Sequence, residues 1–187
     1  MDIYIINKTL RYTNNDISNL VSKIQQSEFL KQFCKDWNIN IPNLIYVRIG
    51  WPINPNNINI NIFDNNPNKR SYHSAMNGIP FANIFCDPKI NNLSILLTHE
   101  LFELLINPKM QETFKFQNQI YLKEVCDPVS NNYFLYDNFK ITDWVLPIWF
   151  DETNNLLNQK PINHLNTLQK TFELSAEGGY MEKQIIL

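Results

Sequence analysis

Apolar and polar positions along the chain follow two periods, and their alternation sets the order of the elements. Residues 2–6 (DIYII) form an apolar run of strand length. Asp16 stands as a helix N-cap ahead of Ile17, Leu20, Val21 and Ile24, which recur at helical spacing and predict a helix to about Trp37. Pro42 ends the connection, and Asn43–Ile49 (NLIYVRI) predicts a second strand. Within residues 54–68, Asn and Ile alternate, which predicts a half-buried strand over 58–63. Residues 79–86 (IPFANIFC) predict another strand, closed by a turn at Asp87-Pro88.

The clearest helix covers 92–105 (NLSILLTHELFELL). Leu93, Leu96, Leu97, Leu101, Leu104 and Leu105 follow its period, and Asn107-Pro108 stops it. Residues 109–118 read as a short helix or loop. Short strands are expected over 119–126, 132–136, 138–142 and 180–186, with a turn at Gly178-Gly179. No repeat or linker interrupts the pattern. The reading is one α+β domain spanning 1–187.

Composition narrows the function classes. The chain has 187 residues, 44% hydrophobic and 13% aromatic, enough to bury a core. Net charge is −2 and no basic block stands out, so a nucleic-acid partner is not expected. The N-terminus MDIYIINKTLRY lacks the basic and apolar regions of a signal peptide, and no apolar stretch is long enough to span a membrane. These features point to a cytoplasmic or virion-associated location. Cys34, Cys86 and Cys126 show no CxxC spacing and read as free, buried thiols, with a single disulfide as the alternative. Abundant Asn, Ile, Lys, Phe and Tyr beside scarce Ala indicate an AT-rich genome of the kind found in phages, large viruses and low-GC bacteria.

The chemistry concentrates in Thr98-His99-Glu100-Leu101-Phe102-Glu103. On a helix, positions i and i+4 share a face, so His99 and Glu103 can reach one metal ion. Glu100 lies on another azimuth, where it could take a proton from a water that the metal activates. Three polar groups amid Leu96, Leu97, Leu101, Phe102, Leu104 and Leu105 need a partner if they are buried, which favours a metal or catalytic role over a solvated face.

The motif resembles the zincin signature H-E-x-x-H. His99 matches the first ligand and Glu100 the general base, while Glu103 stands where the family has a second histidine. The resemblance implies a zincin-like fold, a mixed sheet with an edge strand beside an active-site helix. It assigns Ile79–Cys86 as the strand along the cleft, beside which an extended substrate can lie. It also implies Zn²⁺, or another divalent ion given the carboxylate at Glu103, and hydrolysis of a peptide or protein substrate.

For a third ligand, Glu124 resembles the downstream glutamate of the gluzincins and has the edge, with Asp127 a close competitor that also reads as an Asp-Pro turn opener. Cys126 could bind as thiolate but more commonly packs. His73 reads as a loop histidine, Tyr180 as a candidate oxyanion donor, and His164 carries no role.

Several blocks are similar to uncharacterised phage, prophage and viral proteins: Tyr72-His73 with Gly78-Ile79-Pro80, residues 98–108, 124–129 and 143–151, and Gly178-Gly179-Tyr180. That resemblance sets a second reading beside the peptidase, namely a virion-associated or structural protein with assembly partners and a non-catalytic site. Within 143–151, Trp144 and Trp149 are expected to pack in the core.

Overall fold

The computed structural model describes residues 1–48, 50–52, 54, 56–90, 92–151 and 161–184. Its first half is a five-stranded mixed sheet, and the strands are β1 (Asp2–Asn7), β2 (Asn43–Val47), β3 (Ile58–Asp64), β4 (Tyr72–Met76) and β5 (Ile79–Cys86). The order across the sheet is β2-β1-β3-β5-β4. All neighbours are parallel except β4, which runs antiparallel to β5 at the edge. The Asn/Ile alternation of β3 sends Ile60 and Ile62 into the core, both fully buried, as a period of two requires.

Two helices, α1 (Asn14–Gln26) and α2 (Glu28–Asp36), replace the single helix expected between β1 and β2. The break is at Ser27, whose extended backbone ends one helix while its hydroxyl accepts from Leu30 N and caps the next. The N-cap of α1 is Thr13 rather than Asp16. Asp16 sits three positions later and closes a capping box with Thr13.

The edge of the sheet also departs from expectation. β5 (Ile79–Cys86) is an interior strand between β3 and β4, and the edge is β4, in a stretch that read as loop. The cause is a two-residue turn at Asn77-Gly78, with φ of 53° and 77°, which folds β4 back along β5. The same device recurs at Gln117-Asn118 and Asp137-Asn138, again with both central φ values positive. These turns make hairpins of β6 (Thr113–Phe116) with β7 (Gln119–Leu122) and of β8 (Tyr133–Tyr136) with β9 (Phe139–Thr142). Residues 109–118 therefore hold a turn and β6, not a helix. The expected strand over 119–126 ends at Leu122. Near the C-terminus the described residues form a bridge, Tyr121 to Lys183, and residues 185 and 186 of that expected strand lie outside the described residues.

The long helix α3 (Leu93–Ile106) packs on β5 and β4 and, on another side, on β9. One buried cluster runs from Ile3 through α1, α2, the sheet and α3 to Trp144, Trp149 and Leu168. Cys34, Cys86 and Cys126 are free and buried. Among the described residues, no helix is long and apolar enough to cross a membrane.

Candidate metal centre

Four elements converge on one buried polar cluster. α3 supplies His99, Glu100 and Glu103, and β4 supplies His73. The segment after β7 supplies Glu124 and Cys126, and the 3-10 turn Asp127–Val129 begins with Asp127. His73 reaches the cluster because of strand register. Ile5, Ile60, Ala82 and His73 are successive cross-strand partners, so they occupy one row on one face of the sheet, and Ala82 leaves room beside the imidazole. Glu100, Glu103, Glu124, Asp127 and His73 are each 3–4% exposed. Only His99 keeps a share of solvent, its side chain 18% exposed.

Glu103 lies at the middle. Its Oε1 accepts the Cys126 N–H at 3.2 Å, which fixes the carboxylate plane. Its Oε2 faces His99 Nε2 at 3.3 Å and His73 Nδ1 at 3.8 Å. His99 Nε2 also stands 3.3 Å from Asp127 Oδ1. On the other side, His73 Nδ1 lies 3.7 Å from Glu100 Oε2, and His73 Nε2 lies 3.5 Å from Glu124 Oε2.

Two trios each place one ligand atom per residue within 4.8 Å of the others, and both contain Glu103: His99, Glu103 and Cys126, and His73, Glu103 and Glu124. Of the two third-ligand candidates, Asp127 stands beside His99, whereas Glu124 stands beside His73.

Asn107, at the C-terminal end of α3, orients the His73 side. Its carbonyl takes the His73 Nε2 contact at 3.2 Å, and its Nδ2 donates to Glu124 Oε1 at 3.2 Å. Its Oδ1 accepts from Gln111 N and Glu112 N. Tyr180 reaches the His99 side. Its N–H donates to the Asp127 carbonyl at 3.0 Å, and its hydroxyl interacts with the Asp127 carboxylate. Gly179 permits this approach, since a Cβ there would lie 2.1 Å from the Pro128 carbonyl oxygen. His164 instead stacks on Trp144, with ring centroids 3.8 Å apart.

Four carboxylates face two imidazoles in this space, and three buried oxygens lack a hydrogen-bond donor: Glu100 Oε2, Glu124 Oε2 and Asp127 Oδ1. Such acceptors are costly unless a cation or proton meets them. The titration of the cluster reflects this. Burial opposes a charged His73, but its contact with Glu100 and the charges of Glu124, Glu103 and Glu100 outweigh it and hold the imidazolium up at about 9. His99 is raised in the same way, with burial overcome by Glu103 and Asp127. Burial, then the charge of Glu103, raises both Glu124 and Asp127. Burial likewise pushes the Cys126 thiol well up, reinforced by Glu103 and Asp127.

The cluster thus collects protons wherever no other cation neutralises it. Its donor set of imidazole nitrogen, carboxylate oxygen and thiol sulfur fits a divalent first-row metal.

Against known proteins, no family model, no curated protein and no solved structure matches the chain.

Proposed function

We propose that the chain is a metal-dependent hydrolase of zincin-like type, acting on peptide or protein substrates. One observation carries the reading. His99 Nε2 stands 3.3 Å from both Glu103 Oε2 and Asp127 Oδ1. Charge-assisted N–H···O bonds close to about 2.7–2.9 Å, so the spacing is long for an ion pair. Ligand atoms about 2.0–2.1 Å from a shared tetrahedral zinc would stand about 3.3–3.4 Å apart. His99 Nε2 is therefore spaced from each of the two carboxylate oxygens as ligands of one ion are, and one of those oxygens, Asp127 Oδ1, is otherwise unpartnered. The antiparallel edge strand β4 beside α3 supports the same reading, since it is the sheet arrangement that the H-E-x-x-H resemblance implies.

In this proposal His99, Glu103 and Asp127 hold the ion, with Cys126 Sγ within reach. When bound, the metal supplies Lewis acidity and lowers the pKa of a water toward about 7. Glu100 is the proton acceptor at Oε2, the atom that has no donor of its own. The Cys126 N–H holds Glu103 in place, and Tyr180 does the same for Asp127 through its backbone and hydroxyl. The free edge of β4 offers main-chain groups to an extended substrate.

The second reading, a virion-associated protein with a non-catalytic site, draws on burial. The carboxylates are 3–4% exposed, which suits an ion held for stability.

Glu100→Gln separates the two. Metal-loaded wild type and variant are screened on a diverse peptide library, with bound metal measured in both. The hydrolase reading expects chelator-sensitive cleavage restored by Zn²⁺, and a Glu100→Gln variant that keeps its metal but loses about 10²–10⁴ in rate. His99→Ala should lose the ion of this site, and cleavage with it. Identical profiles for wild type and Glu100→Gln, with metal demonstrably bound, would hand the protein to the structural reading.

A further inference from the structure

We infer that the cluster holds a second divalent cation, bound by His73, Glu103 and Glu124, with Glu103 shared between the two sites. The inference rests on the metal site proposed above and extends it to a binuclear centre.

The geometry of His73 carries most of the weight. Metal-bound histidines commonly donate the other ring N–H to a carbonyl or carboxylate, which fixes the tautomer and leaves the ligating nitrogen bare. His73 Nε2 meets the Asn107 carbonyl at 3.2 Å, and a hydrogen bond donated there leaves Nδ1 as the free nitrogen. Nδ1 faces Glu103 Oε2 at 3.8 Å and Glu100 Oε2 at 3.7 Å. Both distances exceed those of an aligned hydrogen bond and leave space between the atoms.

Glu124 is prepared independently. Asn107 Nδ2 holds its Oε1 at 3.2 Å, while its Oε2 is buried with no donor and lies 3.5 Å from His73 Nε2, the nitrogen that meets the Asn107 carbonyl. A single buried residue, Asn107, thus aims both groups, and all three members of the trio offer ligand atoms within 4.8 Å of one another. Glu103 completes the argument. Its Oε1 is held by Cys126 N, so Oε2 is the atom presented to both histidines.

Charge points the same way. One dication leaves two negative charges buried among Glu100, Glu103, Glu124 and Asp127, whereas two dications balance all four. The donor set of the second site is one imidazole and two carboxylates, with no sulfur. It is harder than the first, which has Cys126 in reach, and suits Mn²⁺ as well as Zn²⁺. Paired ions of this kind serve hydrolysis by clamping both the attacking and the leaving oxygen.

The test is stoichiometry on the full chain, stripped with chelator, dialysed against Zn²⁺ and then against Mn²⁺, and assayed by elemental analysis. Wild type should hold two equivalents. His73→Ala and Glu124→Gln should each hold one, and His99→Ala should also hold one, while Glu103→Gln should lose at least tenfold in affinity at both sites. Glu124→Gln keeps the acceptor oxygen for Asn107 and stands in for His73→Ala if that variant fails to fold by circular dichroism. With Mn²⁺, wild type should give an exchange-coupled electron paramagnetic resonance spectrum.

One equivalent in wild type, unchanged in His73→Ala and Glu124→Gln, would remove the second site and leave the first standing. No bound metal in wild type would end both. Two equivalents that survive both substitutions would place the second ion elsewhere, and an uncoupled six-line Mn²⁺ spectrum at two equivalents would overturn the shared carboxylate.

Discussion

α1 and α3 are of nearly equal length, yet they are held by different physics. α1 buries one stripe, Ile17, Leu20, Val21 and Ile24, and turns the rest of its surface outward. Its first turn carries a complete capping box, and Asp16 and Lys23 lie at the ends that favour their charges. α3 has no side-chain cap at its N-terminus, no acidic residue in its first turn and no basic residue in its last. Ten of its residues are buried, on more than one side, and they include Glu100 and Glu103. Local sequence chemistry stabilises α1, whereas the sheet, α2 and β9 stabilise α3. The helix that carries the candidate centre therefore depends on distant parts of the chain, and the helix that carries none adds locally satisfied ends to the one stripe it packs.

The sharpest test of that contrast is Phe102→Ala. Phe102 is fully buried, stacked on Phe33 of α2 at 4.0 Å and edge-on to Trp144 at 5.3 Å. Its removal leaves a cavity where three segments meet, and should cost about 3–5 kcal/mol of unfolding free energy, measured by denaturant titration. A loss under about 1 kcal/mol would mean that α3 is held locally after all.

Asn107→Ala should come next. The side chain accepts from Gln111 N and Glu112 N and donates to Glu112 O and Glu124 Oε1, all at a buried position. Truncation strands several of these groups and should cost about 1–3 kcal/mol. Because it also frees Glu124, it should lower metal affinity about 10–100-fold, which calorimetric titration would detect. A stability loss with unchanged affinity would separate the helix end from the centre.

The contrast extends to pH. His73 is raised in the folded chain from its ordinary 6.5 to about 9, so the stability it contributes is full below about 6.5 and is lost as pH rises through about 9. Glu124 is also raised. The folded state then keeps a proton that the unfolded state has released, and stability again falls as pH climbs above its ordinary 4.5. Chelated protein should melt at progressively lower temperature between pH 6.5 and 9. Zinc-loaded protein should resist this fall, because the ion displaces those protons and binds better as pH rises. Parallel melting curves with and without zinc across this range would contradict the placement of a cation in the cluster.

The same contrast explains what the sequence disclosed. The period of α3 was plain, and its observed span, Leu93–Ile106, differs from the expected 92–105 by one residue at each end. His99, Glu100 and Glu103 were legible because their spacing is local, and Glu124 and Asp127 because acidic residues follow soon after. His73 was not. It enters the centre only because an edge strand folds back on β5, and in sequence it sits in a polar stretch of no clear period. The signal that could have found it is Asn77-Gly78, a turn dipeptide flanked by two extended segments. Asn107 stops the helix as the Asn-Pro pair indicates, but its contacts with His73 and Glu124 arise from tertiary packing alone. The Gly-Gly pair indicates a turn, but not that Gly179 lets the backbone approach Pro128 and sets Tyr180 against Asp127. In α1 the error ran the other way. Helical periodicity carries across Ser27, so the pattern hid a break made by one hydroxyl.

The smallest expected effect belongs to the cap of α1. Thr13 Oγ1 accepts from Asp16 N at 3.1 Å, and the Asp16 carboxylate returns to Thr13 N at 2.9 Å. Thr13→Ala removes the first of these and the bond that the Thr13 hydroxyl donates to the Asp16 carboxylate at 2.7 Å, and should cost about 1 kcal/mol. For a chain of this length, that corresponds to a fall of about 2–4 °C in melting temperature. The Thr13 hydroxyl, and after it the Thr13 backbone N–H, hold the Asp16 carboxyl below its ordinary 3.8, so this contribution is present above that pH and fades in acid. The wild-type advantage over Thr13→Ala should therefore shrink below about pH 3.8, opposite in direction to the alkaline loss expected around α3. Metal content should not change, since the cap has no contact with the cluster. A Thr13→Ala variant that lost bound zinc would show that the two helices are coupled, and would undo the comparison at its root.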